Sequence, residues 1–406
     1  MALFLQTLSS FQYRDYRIVW IAGLFMSGAY WIQQIVIGWL VFDMTQSAIF
    51  TGLALGLDSL PYLFLGPLGG IVADRWDRRY VIAISGIYMA LVTLGLAIVV
   101  TYGAVQTWHI LTYALIIGIS YPVMDPGWLS LMANSVPKKN IVNALALNAL
   151  VGNGTRLAFP PIGGLIIAIY GAGPALIFGA GLYGVCSAAF LAITPSKARD
   201  QIGRRVSLLK QFFEGIQYVK HQPVILGLIL MTVLMPLVYL PSVNRMMPVY
   251  ASDVFEIGPT GLGMLMAAIG FGCTVGAVAL ASIKVISQRG KTVVVTIMFS
   301  SAVMLVFSLI DDLMLATTLL VLVSAISTIY WSLSEAIILE VTPDDIRGRV
   351  VSLSGIGSGL FPLGSLTFGS IAEHLGPQSA TFTAGLVTAG CVLLLLTTFR
   401  KIWSFH

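Results

Sequence analysis

Gly69-Gly70-Ile71-Val72-Ala73-Asp74-Arg75-Trp76-Asp77-Arg78-Arg79 sets five charges within six residues, between two long apolar runs. One run begins near Ala48 and ends in the paired glycines; the next begins at Tyr80. A reversal this short and this charged joins two membrane-length segments. Gly69 and Gly70 let helices approach closely. Asp74, at a helix end, is placed to pair with the following arginines or with the positive N-terminus of another helix. A turn serving topology alone needs only basic residues on one side of the membrane. The spacing of Gly70, Asp74, Arg75, Arg78 and Arg79 asks for more than that.

The composition leads the same way. The chain is 57% hydrophobic and 10% charged, with mean hydropathy +0.92, whereas soluble domains are about 25% charged. A span takes about 20 apolar residues, so 406 residues hold about a dozen spans and little else. The first apolar run is too long for a signal peptide and has no convincing cleavage site, so it reads as a true span. A net charge of +5 raises the question of nucleic acid, and the charge distribution rejects it. Alternating the spans puts every Lys and Arg except Arg156 and Arg245 on one face. The opposite face carries only acids: Asp43, Asp253, Glu256, Asp311, Asp312 and Glu373. The basic face is then cytoplasmic, with both termini inside. Cys186, Cys273 and Cys391 fall in apolar segments without metal spacing and read as packing residues.

The opening stretch resembles the signature loop of the major facilitator superfamily, between its second and third transmembrane helices. Asp77 stands where the family usually has glycine, and D-R-x-D-R-R is similar to the branch that includes enterobactin-type exporters. The lead-in Phe11 to Arg17, with Thr45, Ser47 and Gly52, looks like that branch's opening. The resemblance implies an all-α membrane protein of 12 transmembrane helices in two six-helix repeats. It also implies that the loop is a cytoplasmic gate latch. Phe159-Pro160-Pro161-Ile162-Gly163-Gly164 is similar to the G-P-x-x-G-G element of antiporter members, with Phe159 replacing the first glycine.

Hydropathy places spans at about 17–42, 48–73, 80–101, 109–134, 141–169 and 174–194, then at about 223–250, 258–283, 292–310, 313–340, 350–373 and 377–399. Residues 1–194 are expected to form an N-terminal six-helix bundle, 195–222 a basic cytoplasmic linker and 223–406 a C-terminal six-helix bundle. Thr51-Gly52-Leu53 matches Thr260-Gly261-Leu262, and Val136-Pro137 matches Thr342-Pro343. The offsets, 209 and 206 residues, suit an internal repeat. Transporters built from such repeats bind cargo near the midplane between them.

An ionisable group inside a span costs roughly 2.5–3.5 kcal/mol on insertion scales and is a functional hypothesis by default. Asp58, Asp125, Arg156, Arg245 and Glu335 qualify. By the family's architecture all five fall on cavity-lining or flanking spans. Asp125 and Asp58 read either as proton sites or as caps and kink stabilisers beside Pro126 and Pro61. Arg156 reads as a partner for a carboxylate or as a contact for anionic cargo. Glu335 reads as gate or cargo contact, and Arg245 as an outward-snorkelling cation. Glu340 with Arg347 and Arg349 resembles a second cytoplasmic latch. Trp31, Tyr121, Tyr239, Tyr330 and Trp331 offer stacking faces, and Gln34 joins Trp31 among the polar residues of the first span.

No P-loop, H-E-x-x-H or paired C-x-x-C occurs, so no enzyme activity, cofactor or bound metal is expected. The expectation is a monomeric secondary transporter of the bacterial inner membrane, exporting a small organic molecule, drug-like or siderophore, by alternating access and proton antiport. An importer of a small polar metabolite and a lipid flippase are the alternatives on the same fold.

Overall fold

The computed structural model describes residues 9–66, 76–194, 208–283, 288–343, 346–347, 349–350, 353 and 357–403. Every regular element among them is helical. The chain runs through α1 (Arg14–Thr45), α2 (Ala48–Gly56), α3 (Arg78–Thr101), α4 (Thr107–Gly118), α5 (Ser120–Asn134), α6 (Ile141–Tyr170) and α7 (Ala172–Leu191). It continues through α8 (Leu208–Lys220), α9 (Pro223–Leu234), α10 (Gly258–Ser282), α11 (Arg289–Phe307), α12 (Leu313–Val341), α13 (Phe361–Leu375) and α14 (Pro377–Thr398).

Ten stretches among the described residues are long and apolar enough to cross a membrane. One of them, Phe361–Thr398, is the pair α13 and α14. Gly376 divides it, with φ at +84°, a value that side-chain-bearing residues avoid. α6 lies outside the ten although it is 30 residues long. Asn143, Asn148, Asn153 and Arg156 lower its hydropathy, so polar residues and not a short length set it apart. Counting α6, and α13 and α14 separately, recovers the twelve expected spans.

Helix ends carry the repeat more clearly than the sequence does. Gly171 between α6 and α7, and Gly376 between α13 and α14, are each the single residue between two helices, with φ of +89° and +84°. Gln106 caps α4 and Asp312 caps α12, where its side chain accepts from the Leu315 N–H at 2.7 Å. These are matching helix starts in the two repeats.

Three spans are interrupted for reasons the sequence supplies. α2 ends in a tight turn at Leu57–Ser59, and the helix resumes over residues 61–66 behind Pro61, which has no N–H to give. α4 and α5 form one span broken at Ile119, just ahead of Pro122 and Pro126. The span beginning with α9 becomes π-helical over Met235–Asn244 and again over Tyr250–Val254. There the N–H of Arg245 reaches back five residues to the Leu240 carbonyl at 2.9 Å. Pro236, Pro241 and Pro248 lack the donors that ordinary turns need, and wider turns re-satisfy the freed carbonyls.

Contacts divide the chain into two units. The first comprises Met1–Met44, Pro61–Gln201 and Pro259–Ala267; the second comprises Thr45–Leu60, Ile202–Gly258 and Ala268–His406. Within the first, α3 packs along α7, and the Tyr183 hydroxyl of α7 donates to Gln33 of α1 at 2.8 Å. Gln33 and Gln34 thus interrupt the apolar surface of α1 on its buried side. Within the second unit, α2 lies along α13. A Cβ on Gly52 would meet the Ser365 carbonyl at 3.0 Å, and one on Gly56 would meet the Ser365 hydroxyl at 2.9 Å. Only glycine permits that approach.

Candidate functional site

In the first unit, α1, α5 and α6 bring together several chemistry-bearing residues. Tyr30 and Trp31 follow one another on α1 with ring centres 5.2 Å apart, edge to face. Tyr30 also meets Tyr121, at the start of α5, edge to face at 6.0 Å. The Arg156 guanidinium of α6 lies 5.0 Å from the Trp31 ring centre. Such a contact is worth about 0.5–2 kcal/mol, more as water is excluded. One helical turn beyond Tyr121, Asp125 is exposed at the surface of α5 and accepts a hydrogen bond from the Tyr62 hydroxyl. Arginine, carboxylate and three rings therefore share one region. It offers an anion contact, an acid-base group and flat apolar faces together.

The loop that opened the sequence is described only from Trp76 onward; Gly70, Asp74 and Arg75 lie outside the described residues. Asp77 caps α3, its carboxylate accepting from the Arg79 N–H at 3.1 Å. Arg79 Nε pairs with Asp77 at 3.1 Å, and its Nη1 donates to the Ile193 carbonyl at 3.1 Å. That carbonyl lies just past the end of α7, where carbonyls lack intrahelical donors. Arg79 therefore ties the start of one span to the end of another. Arg78 stands beside it as the first residue of α3.

In the second unit two ion pairs join described residues of different helices. Glu340 pairs with Arg289, at the start of α11. Arg349 pairs with Glu214 of the linker helix α8 at 2.7 Å. Arg347 donates to the Leu339 and Thr342 carbonyls at 3.0 and 3.2 Å, closing the end of α12. Arg245, read from sequence as snorkelling outward, is instead 8% exposed, with its guanidinium 5.5 Å from the Phe361 ring centre. The π-helical turns around it turn its side chain toward α13. Asp58 is buried in the tight turn after α2. Glu335 is exposed on α12 and takes a hydrogen bond from Trp331 one turn earlier. Tyr239 meets Ser324 at 3.2 Å, and the Tyr330 hydroxyl lies 3.1 Å from the Met235 sulfur.

Three contributors carry weak sequence signals or none. Tyr62 carries none, because aromatic residues in spans usually pack. Asp77 departs from the family pattern, and an acid one residue before a helix is a capping signal. Glu373 reads from sequence only as an acid on the far face. Its Oε2 accepts from the N–H groups of Ala48 and Ile49, the start of α2, at 2.6 and 3.3 Å.

A family model described as transmembrane secretion effector matches residues 5–404. The multidrug efflux pump Tap of Mycolicibacterium fortuitum is 24% identical over 90% of this chain and 91% of its own. The staphyloferrin A transporter of Staphylococcus aureus is 25% identical over 92% of this chain and 93% of its own. Among solved structures, the nucleoside transporter NupG superposes with a TM-score of 0.69 at 17% identity, covering 97% of this chain and 100% of that one.

Proposed function

Because the chain belongs to the transmembrane secretion effector family of the major facilitator superfamily, we propose that it exports a small organic molecule from the cytoplasm by alternating access, in exchange for protons. The cluster of Tyr30, Trp31, Tyr121, Asp125 and Arg156 carries this reading. Rings and a fixed cation hold a flat or partly anionic molecule, and a carboxylate within a span takes and gives a proton as water reaches it from either side. Relatives named for multidrug efflux and for staphyloferrin A support outward transport of organic cargo. The basic loops face the cytoplasm, the protein works as a monomer in the inner membrane, and the loop from Gly70 to Arg79 latches the cytoplasmic side. A lipophilic cation, a macrolide and a siderophore form the test panel. In cells expressing the protein, accumulation of at least one should fall, and a protonophore should restore it. Raised accumulation on expression would instead make the protein an importer.

A further inference from the structure

We propose that Tyr62 is the positioning residue for Asp125, and that their hydrogen bond carries the protonation of Asp125 to the second span. This rests on the antiport reading above.

Tyr62 sits just past a helix break, and Asp125 sits inside α5 beside a proline. Tyr62 follows Pro61, after the tight turn at Leu57–Ser59 that ends in a Leu60 N–H to Leu57 carbonyl bond of 3.2 Å. The Ser59 hydroxyl occupies the Gly56 carbonyl at 2.6 Å, so the turn is satisfied locally. Asp125 immediately precedes Pro126, which has no N–H to return to the preceding turn. On one side of the break in the second span, α2 is fixed against Ser365 of α13 through Gly52 and Gly56. On the other side, the Tyr62 hydroxyl holds residues 61–66 to α5. The second span is thus held on each side of its break, and loosening the Tyr62 bond frees residues 61–66 from α5.

The chemistry supplies the loosening. A phenol donating to a carboxylate makes a charge-assisted bond, roughly twice as strong as its neutral counterpart. A proton on Asp125 removes the charge and leaves only the weaker bond.

The other ionisable groups on elements packed against α5 are engaged or distant in the chain. Tyr88 of α3 donates to the Ile116 carbonyl at 2.7 Å. Tyr113 of α4 shares a 3.0 Å bond with Thr93, and His109 accepts from the Gln106 N–H at 3.0 Å. Arg156 of α6 lies over Trp31. Arg78, Arg79 and Tyr80 open α3, and Tyr30 of α1 meets Tyr121. Lys138 and Lys139 follow the end of α5.

The test compares the intact protein with Tyr62→Phe, which keeps the ring and removes the hydroxyl. Proton movement per molecule of cargo is measured in proteoliposomes, using whichever panel compound the wild type transports. Infrared difference spectra across a pH step report the carboxyl band that Asp125→Asn abolishes. Tyr62→Phe should lower the proton-to-cargo ratio and shift that band, and it should add nothing in an Asp125→Asn background. The infrared measurement decides the bond itself even if the variant transports poorly. Wild-type coupling with an unchanged ratio and an unshifted band in Tyr62→Phe would overturn the proposal alone. A wild type that moves no protons would overturn the antiport reading and the proposal with it.

Discussion

Glu373→Ala should loosen α2 from α13. The Glu373 carboxylate receives two N–H groups from the first turn of α2, those of Ala48 and Ile49, while Ser47 receives a third from Phe50 at 3.3 Å. Those donors have no partner within their own helix, and Ala48 is buried. A hydrogen bond to a charged group contributes about 1.5–3 kcal/mol. Taking the two contacts as one such interaction, its loss shifts the balance between joined and separated helices by roughly 10- to 150-fold, at about 1.4 kcal/mol per factor of ten. Glu373→Gln keeps an acceptor without the charge, so about half the free energy should remain. Thr51 on α2 is fully buried, and a cysteine there, with Cys186, Cys273 and Cys391 replaced, reports separation. Its alkylation by a membrane-impermeant reagent should accelerate by roughly 10- to 150-fold in Glu373→Ala and by less in Glu373→Gln. An unchanged rate in correctly inserted protein would refute the reasoning. The contact would then be dispensable beside the glycine packing at Ser365.

Three further outcomes follow from the same structure. Arg79→Ala removes the bond to the Ile193 carbonyl and the pair with Asp77; it should cost about 2–3 kcal/mol, read as a lower thermal midpoint in detergent. Tyr183→Phe leaves the Gln33 side chain, 4% exposed, without that donor, a loss of about 1–3 kcal/mol in the same assay. Asp74→Asn should abolish most transport while surface expression and the melting profile stay at wild-type values, and full transport in that variant would remove the latch role.

Where sequence was enough, the signal was local and strong. Spans announce themselves because lipid allows no unsatisfied backbone, so about 20 apolar residues in a row can mean little else. The polar interruptions Gln33, Gln34, Asp125 and Arg156 were visible against that background. Partnerships were not visible, because they depend on which helices meet. Glu340, Arg347 and Arg349 sit close in sequence and read as one latch, yet Arg289 and Glu214 reach Glu340 and Arg349 from other helices. Arg245 looked free to reach water, and only the widened turns made by three prolines turn it toward Phe361. Hydropathy places α6 among the spans at about 141–169, although its asparagines and Arg156 leave it the most polar of them. Tyr62 was hidden by ambiguity: a tyrosine in a span is ordinary until a carboxylate is found at its hydroxyl.

Proton movement in proteoliposomes under an imposed pH gradient tests the central claim most directly. Lipophilic cations, macrolides and siderophores are added in turn, with wild type and Asp125→Asn side by side. Proton release triggered by one class in wild type and absent in Asp125→Asn is the predicted result. Cargo transport that proceeds with no proton movement, or with equal proton movement in both proteins, would contradict it.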